Sequence, residues 1–119
     1  MMGRPPKENK MKSINPSNHE LIQEYPEMSI DQAHKMVNIT HQKFLTWKNT
    51  TFQHRSELMH QLSKVLKDNK ATYAKIISQE MGKPIGESLA EVEKSAWVCE
   101  YYAHNGEEML LDEVLESDA

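Results

Sequence analysis

The 119-residue chain is predicted to be mainly α-helical, with a short N-terminal β-hairpin or arm. Three observations carry that expectation. Apolar residues recur at three- and four-residue steps through most of the stretch from Ser29 to Ala103, which is the period of one helix face. Gly82-Lys83-Pro84 encodes a helix stop followed at once by a restart. Ahead of the first helical stripe, short apolar pieces flank the turn formers Pro16-Ser17-Asn18.

Residues 1–12 carry Arg4, Lys7, Lys10 and Lys12 with two prolines and little to bury, so they read as a flexible tail. Residues 13–25, "SINPSNHELIQEY", form the β-arm. Asn18 tolerates a positive φ better than most residues. A hairpin this small is not stable alone and must pack on something.

The first helix is expected over 29–48. Ser29 is its N-cap and Gln32 completes a capping box; Ala33, Met36, Val37, Thr40, Phe44 and Trp47 form its stripe. Thr50-Thr51 opens a second helix over 51–81, on whose stripe lie Leu58, Leu62, Val65, Leu66, Tyr73, Ile76, Ile77 and Met81. That length is well above the usual ~11 residues and suits a helix lying across a sheet or beside partner helices. Gly82 stands where a left-handed C′ residue is wanted, and Pro84 is favoured at a first helical position. The third helix is expected over 84–105, with Ile85, Leu89, Val92, Ala96, Cys99 and Ala103 on one stripe and Gly106 ending or bending it. Residues 107–119 read as an acidic linker.

The length suits one domain of modest core. Mean hydropathy is −0.74, polar for a self-sufficient domain. One cysteine precludes an internal disulfide and fits a reducing compartment. No stretch approaches the ~20 apolar residues of a membrane span, and the polar N-terminus is no secretory signal, so a cytoplasmic protein is expected. The net charge of −4 hides an asymmetry: the last thirteen residues hold six acids and no Lys or Arg, leaving 12 acids against 14 bases before them. No basic face with interleaved aromatics suggests nucleic acid.

No residue of the sequence reads as catalytic, cofactor-binding or metal-ligating. A reactive thiolate needs a helix N-terminus or a neighbouring cation. Cys99 instead lies deep in a predicted helix, next to Glu100 and in phase with aliphatic neighbours. It reads as a packing residue. The six histidines, at 19, 34, 41, 54, 60 and 104, include no pair at a helical ligand step of three or four. Glu80, Glu87, Glu91 and Glu93 are expected on solvated helix faces, where general acid-base chemistry has no cleft to work in. Lys83, beside the helix break, stands alone. The glycines at 3, 82, 86 and 106 assemble no phosphate-binding loop.

From Ser13 to about Leu111 the chain resembles the N-terminal part of NAD(P)-dependent aldehyde dehydrogenases. The resemblance is carried by Ile14-Asn15-Pro16 with Glu20 and Ile22, by Phe44 and Trp47, by Arg55, and most strongly by Glu80-Met81-Gly82-Lys83-Pro84, Glu87, Glu91-Val92 and Lys94. "EMGKP" followed by "EVEKSAWVCEYYA" is most similar to the succinate-semialdehyde dehydrogenase branch. Two departures stand out: His19 where the family usually has a turn glycine, and Phe52 where proline often begins the second helix.

The resemblance implies an α/β cofactor domain of which this segment supplies the opening helices and lacks most of the sheet. The family reaction is thiolate attack on an aldehyde, hydride transfer to nicotinamide and thioester hydrolysis. Its cysteine, glutamate, asparagine and cofactor loops all lie further along a longer chain. Cys99 does not match the catalytic cysteine, so no functional residue is carried over. NAD or NADP is implied for the complete enzyme, with neither expected to bind this segment tightly. The expected partners are the remainder of the dehydrogenase, or further copies through apolar helix faces. The chain is thus expected to be an inactive scaffolding segment that arose at a cloning boundary, by a split gene or by a frameshift. The alternative is a free-standing helical interaction module of the same ancestry, with zinc uptake by the histidines a third reading.

Overall fold

Turn chemistry and capping divide the chain into two strands followed by four helices. The computed structural model describes residues 10–117; the expected tail therefore lies outside the described residues up to position 9. Strand β1 (Lys10–Ile14) pairs antiparallel with β2 (Leu21–Pro26), so Lys10, Met11 and Lys12 belong to the arm and not to the tail. Glu24 sits opposite Lys12 and accepts ion pairs from Lys10 at 3.3 Å and Lys12 at 3.6 Å, which gives those lysines a reason to order. The register shifts between Ser13 and Ile14, a bulge that passes over Ile22.

The loop between the strands is held by its own side chains. Asn15 Oδ1 accepts from the Ser17 N–H at 2.9 Å, and Asn18 Oδ1 accepts from the Glu20 N–H at 3.0 Å. The positive φ falls on His19 (61°) and not on Asn18. Asn18 uses its side chain for the local turn, and the backbone reverses one residue later. The left-handed residue of the loop is thus a histidine and not a glycine.

Helix α1 (Ile30–Trp47) begins at a complete capping box. Ser29 Oγ accepts from the Gln32 N–H at 3.2 Å, and Gln32 Oε1 accepts from the Ser29 N–H at 2.8 Å. Helix α2 (Phe52–Asp68) is capped by the Thr51 hydroxyl, which accepts from the His54 N–H.

The long helix expected over 51–81 is two helices. Helix α3 (Lys70–Met81) starts after Asn69, whose φ of −108° and ψ of 15° leave the helical region. The Asn69 side-chain amide and its own N–H both donate to the Val65 carbonyl, at 2.9 and 3.1 Å. Asparagine's competition for backbone partners thus breaks the helix, while the apolar phase runs on through the break.

Gly82 closes α3 in the left-handed region, with φ of 67°. Pro84 is the cap of α4 (Ile85–Met109) rather than its first helical residue. The α4 helix passes through Gly106, absorbing the ~1 kcal/mol a helical glycine costs, so residues 107–109 of the expected linker are helical. No helix or strand follows Met109 among the described residues.

Helices α2 and α3 run antiparallel to α4, forming a helical hairpin about the Gly82-Lys83-Pro84 joint. The bonds record the direction: Ser56 meets Ala103, Ser63 meets Glu100, Lys70 meets Glu93 and Ser78 meets Ser88. The β-hairpin rests on the joint. There Ser13 Oγ donates to Glu80 at 2.6 Å, and a Cβ on Gly82 would stand 3.0 Å from the Pro16 ring. Beyond a corner with α2, helix α1 packs along no other element among the described residues. The radius of gyration is 21.3 Å, against the ~13–14 Å of a compact chain of this length.

Candidate functional site

Among the described residues the tightly packed region is the seam between α4 and the α2–α3 pair. Its buried residues are small: Ser63, Ala74, Ser88, Val92, Ala96 and Cys99. Ala74, Ser88 and Ala96 are wholly inaccessible, which places the helix backbones close together. Hydroxyls bridge the approach. Ser56 Oγ donates to the Ala103 carbonyl at 2.6 Å, Ser63 Oγ donates to Glu100 at 3.0 Å, and the Ser78 and Ser88 hydroxyls meet at 2.9 Å. Every buried side-chain nitrogen and oxygen among the described residues has a partner. The Lys67 ammonium and the Ser63 hydroxyl hold the Glu100 carboxyl below its usual range. Lys83 is ion-paired with Glu91, which raises its pKa above the ordinary lysine value and ties the joint to α4.

Cys99 lies in this seam and is buried, in phase with Val92 and Ala96. The thiol is a packing group, away from solvent and from any helix N-terminus. The packed face of α2 and α3 differs from the apolar stripe read in the sequence. Leu58, Leu62, Val65 and Ile76 are between 38 and 48% exposed, whereas Ser63 and Ala74 are buried. Small residues hold the closest contact because they let the helices close, and these four aliphatic side chains are left exposed while Leu66 and Ile77 are half-buried.

A second cluster joins α1 to α2. The Arg55 guanidinium lies 5.4 Å from the Trp47 ring and 5.7 Å from the Phe52 ring. It also donates to the Thr50 hydroxyl and to the Trp47 and Lys48 carbonyls at the end of α1. Phe52, where proline often stands in the resembled family, therefore lies beside this arginine. Beyond this corner α1 is bare. Ile30, Met36, Val37, Ile39, Phe44, Leu45 and Trp47 are exposed, and no residue of α1 is buried. On α4 the aromatic residues Trp97, Tyr101 and Tyr102 are also exposed; Trp97 and Tyr101 are tilted against each other at 5.7 Å, and Tyr101 and Tyr102 meet edge to face at 5.4 Å.

Among the described residues no three His, Cys, Asp or Glu side chains converge as a metal site. Glu80, Glu87, Glu91 and Glu93 are all exposed, and Glu80, Glu91 and Glu93 are engaged in structural contacts. The structure does bring together His60 and His104, 44 positions apart, with ring centroids at 4.9 Å. Helical spacing within one segment could not reveal a pair made across two helices. No helix is long and apolar enough to cross a membrane among the described residues.

What the arrangement offers is an organised helical seam carrying broad uncovered apolar faces. Comparison with known proteins gives those faces a context. The family model described as the aldehyde dehydrogenase family matches residues 4–119. The chain is 35% identical over 98 residues to the succinate semialdehyde dehydrogenase [NAD(P)+] Sad of Escherichia coli, covering 82% of this chain and 21% of that protein. Succinic semialdehyde dehydrogenase from Streptococcus pyogenes, solved with NADP+, superposes with a TM-score of 0.82 at 26% identity, over 90% of this chain and 24% of that one. Glyceraldehyde-3-phosphate dehydrogenase GapN from Methanocaldococcus jannaschii, complexed with NADP, gives a TM-score of 0.83 at 30% identity, over 96% of this chain and 25% of that one. The chain spans about a fifth to a quarter of the length of these relatives. With its helical body, its two-stranded hairpin and its matched length, the chain belongs to the aldehyde dehydrogenase family.

Proposed function

We propose that this chain acts as the opening scaffold of a succinate-semialdehyde dehydrogenase. In that role it cradles a reaction centre carried by other polypeptide and has no dehydrogenase activity by itself. The observation that carries the reading is the uncovered apolar surface of α1 and of the outer faces of α2 and α4 on a backbone that superposes on complete dehydrogenases. Contiguous exposed apolar area of this kind marks a surface that another protein surface covers. Similarity to the Escherichia coli and Streptococcus pyogenes enzymes supports succinic semialdehyde as the aldehyde and NAD or NADP as the oxidant of the complete enzyme.

The residues in hand do not fit the dinucleotide. Its pyrophosphate needs a glycine-rich turn between a strand and a helix N-terminus. Here the strands form an antiparallel hairpin, and the N-termini of α1 and α2 are closed by Ser29 and Thr51. The cofactor belongs to the complementary part, and these helices support it from behind.

Mixing the purified chain with succinic semialdehyde and either nicotinamide cofactor should give no reduced cofactor. Adding a related dehydrogenase that lacks its own first ~100 residues should restore turnover. Oxidation by the chain alone would overturn the scaffold reading, and so would failure to bind that truncated relative.

A further inference from the structure

The geometry points to a two-histidine site for a borderline divalent transition metal, Zn2+ or Ni2+, formed by His60 on α2 and His104 on α4. Two imidazole nitrogens each ~2.1 Å from one metal, at an angle of about 90–110°, place their ring centroids roughly 4.5–5.3 Å apart. The observed separation is 4.9 Å, with the rings nearly perpendicular at 84°. The two side chains are thus at ligand spacing before any metal arrives.

One of them is also held in the tautomer that a ligand needs. The Nδ1 of His104 lies 2.8 Å from the Glu100 carbonyl, so Nδ1 carries the proton and Nε2 is the free donor. A histidine whose other nitrogen is held by a carbonyl is the usual arrangement in metal centres. Both histidines are exposed, so a hydrated ion has access and water completes the coordination.

The surrounding charge does not oppose a cation. On α2 the Lys67 ammonium is engaged by Glu100 at 2.6 Å and the Lys64 ammonium by Asp68 at 2.5 Å. The Glu100 carboxylate interacts with His60 and adds negative potential on the α4 side. Imidazole donors select Zn2+, Ni2+ and Cu2+ over Mg2+.

The site sits toward the open end of the helical hairpin, near the Ser56–Ala103 bond and far in sequence from the Gly82 joint. A metal here would clamp α2 to α4 where the seam is least constrained by connectivity. Metal that binds only the folded hairpin stabilises it by mass action.

The test is calorimetric titration of the full chain with zinc chloride and nickel chloride, with magnesium chloride as a control. Thermal melting is recorded alongside. One equivalent of Zn2+ or Ni2+ should bind and raise the melting midpoint, while Mg2+ does neither. His60→Gln and His104→Gln should each weaken binding by about tenfold or more. His34→Gln and His41→Gln should leave it unchanged. Binding should also weaken on acidification, because a ligating imidazole is neutral. Circular dichroism of each variant confirms that the helices remain. Binding that survives in both folded variants, or no stoichiometric binding by the parent chain, would overturn the site.

Discussion

Helix α4 and helix α1 are both amphipathic by sequence, yet only α4 has buried the middle of its stripe. Along α4, Val92, Ala96 and Cys99 are buried against α2 and α3. Along α1, Val37 is 65% and Phe44 52% exposed. The difference lies in what faces each helix. Opposite α4 stand Ser63 and Ala74, small enough for backbones to meet and for hydroxyls to bridge them. Opposite α1, among the described residues, stands little beyond the Arg55 corner. An apolar stripe therefore records where a surface is meant to go, and burial follows only when the matching surface is supplied.

That contrast can be broken most forcefully in the seam. Ala96→Leu inserts three carbon atoms at a position with no accessible surface. Overpacking should destabilise the chain by about 1–3 kcal/mol in urea unfolding. Phe44→Ala, although it removes a far larger side chain, should change stability by no more than about 0.5 kcal/mol, as for other substitutions away from a packed site. Equal losses from the two variants would mean that α1 is packed in solution.

The joint is the next most sensitive point. Gly82→Ala places a Cβ on a left-handed residue and 3.0 Å from the Pro16 ring. The backbone term alone costs about 1–2 kcal/mol. The urea midpoint should fall accordingly, and the β-hairpin should lose contact with the joint.

A smaller effect concerns pH. Glu100 has a folded-state pKa below its usual value, because Lys67 and Ser63 bond its charged form. Its contribution is therefore present above the unfolded-state pKa and is lost as pH falls through the lowered folded-state value. Glu100→Gln should lower stability at neutral pH and flatten the acid limb of a stability-against-pH curve, the two proteins converging as pH falls. An unaltered acid limb would show that the bond to Lys67 is not maintained in solution.

Local signals were the legible ones. The Ser29–Gln32 box, the Thr51 cap and the Gly82 stop could be read directly, because each acts within four residues. The α4 stripe and the packing role of Cys99 were legible for the same reason: a helical period is a local property. The break at Asn69 was not, since Val65 and Leu66 before it and Tyr73 after it keep one phase and conceal the side-chain competition for the Val65 carbonyl. Nor was the rotated packing face of α2, because hydrophobicity favours Leu58 and Leu62 whereas close approach favours Ser63. The His60–His104 pair depends on the antiparallel register of two helices and has no sequence period at all.

The most direct test of the contrast is native-state amide hydrogen exchange on the monomeric chain. Amides from Val92 to Ala103, on α4, should exchange slowly, with a protection that approaches global stability. Those from Met36 to Trp47, on α1, should exchange orders of magnitude faster, as expected of a helix held by its caps alone. Protection of α1 equal to that of α4 would contradict the claim that this helix awaits a surface from elsewhere.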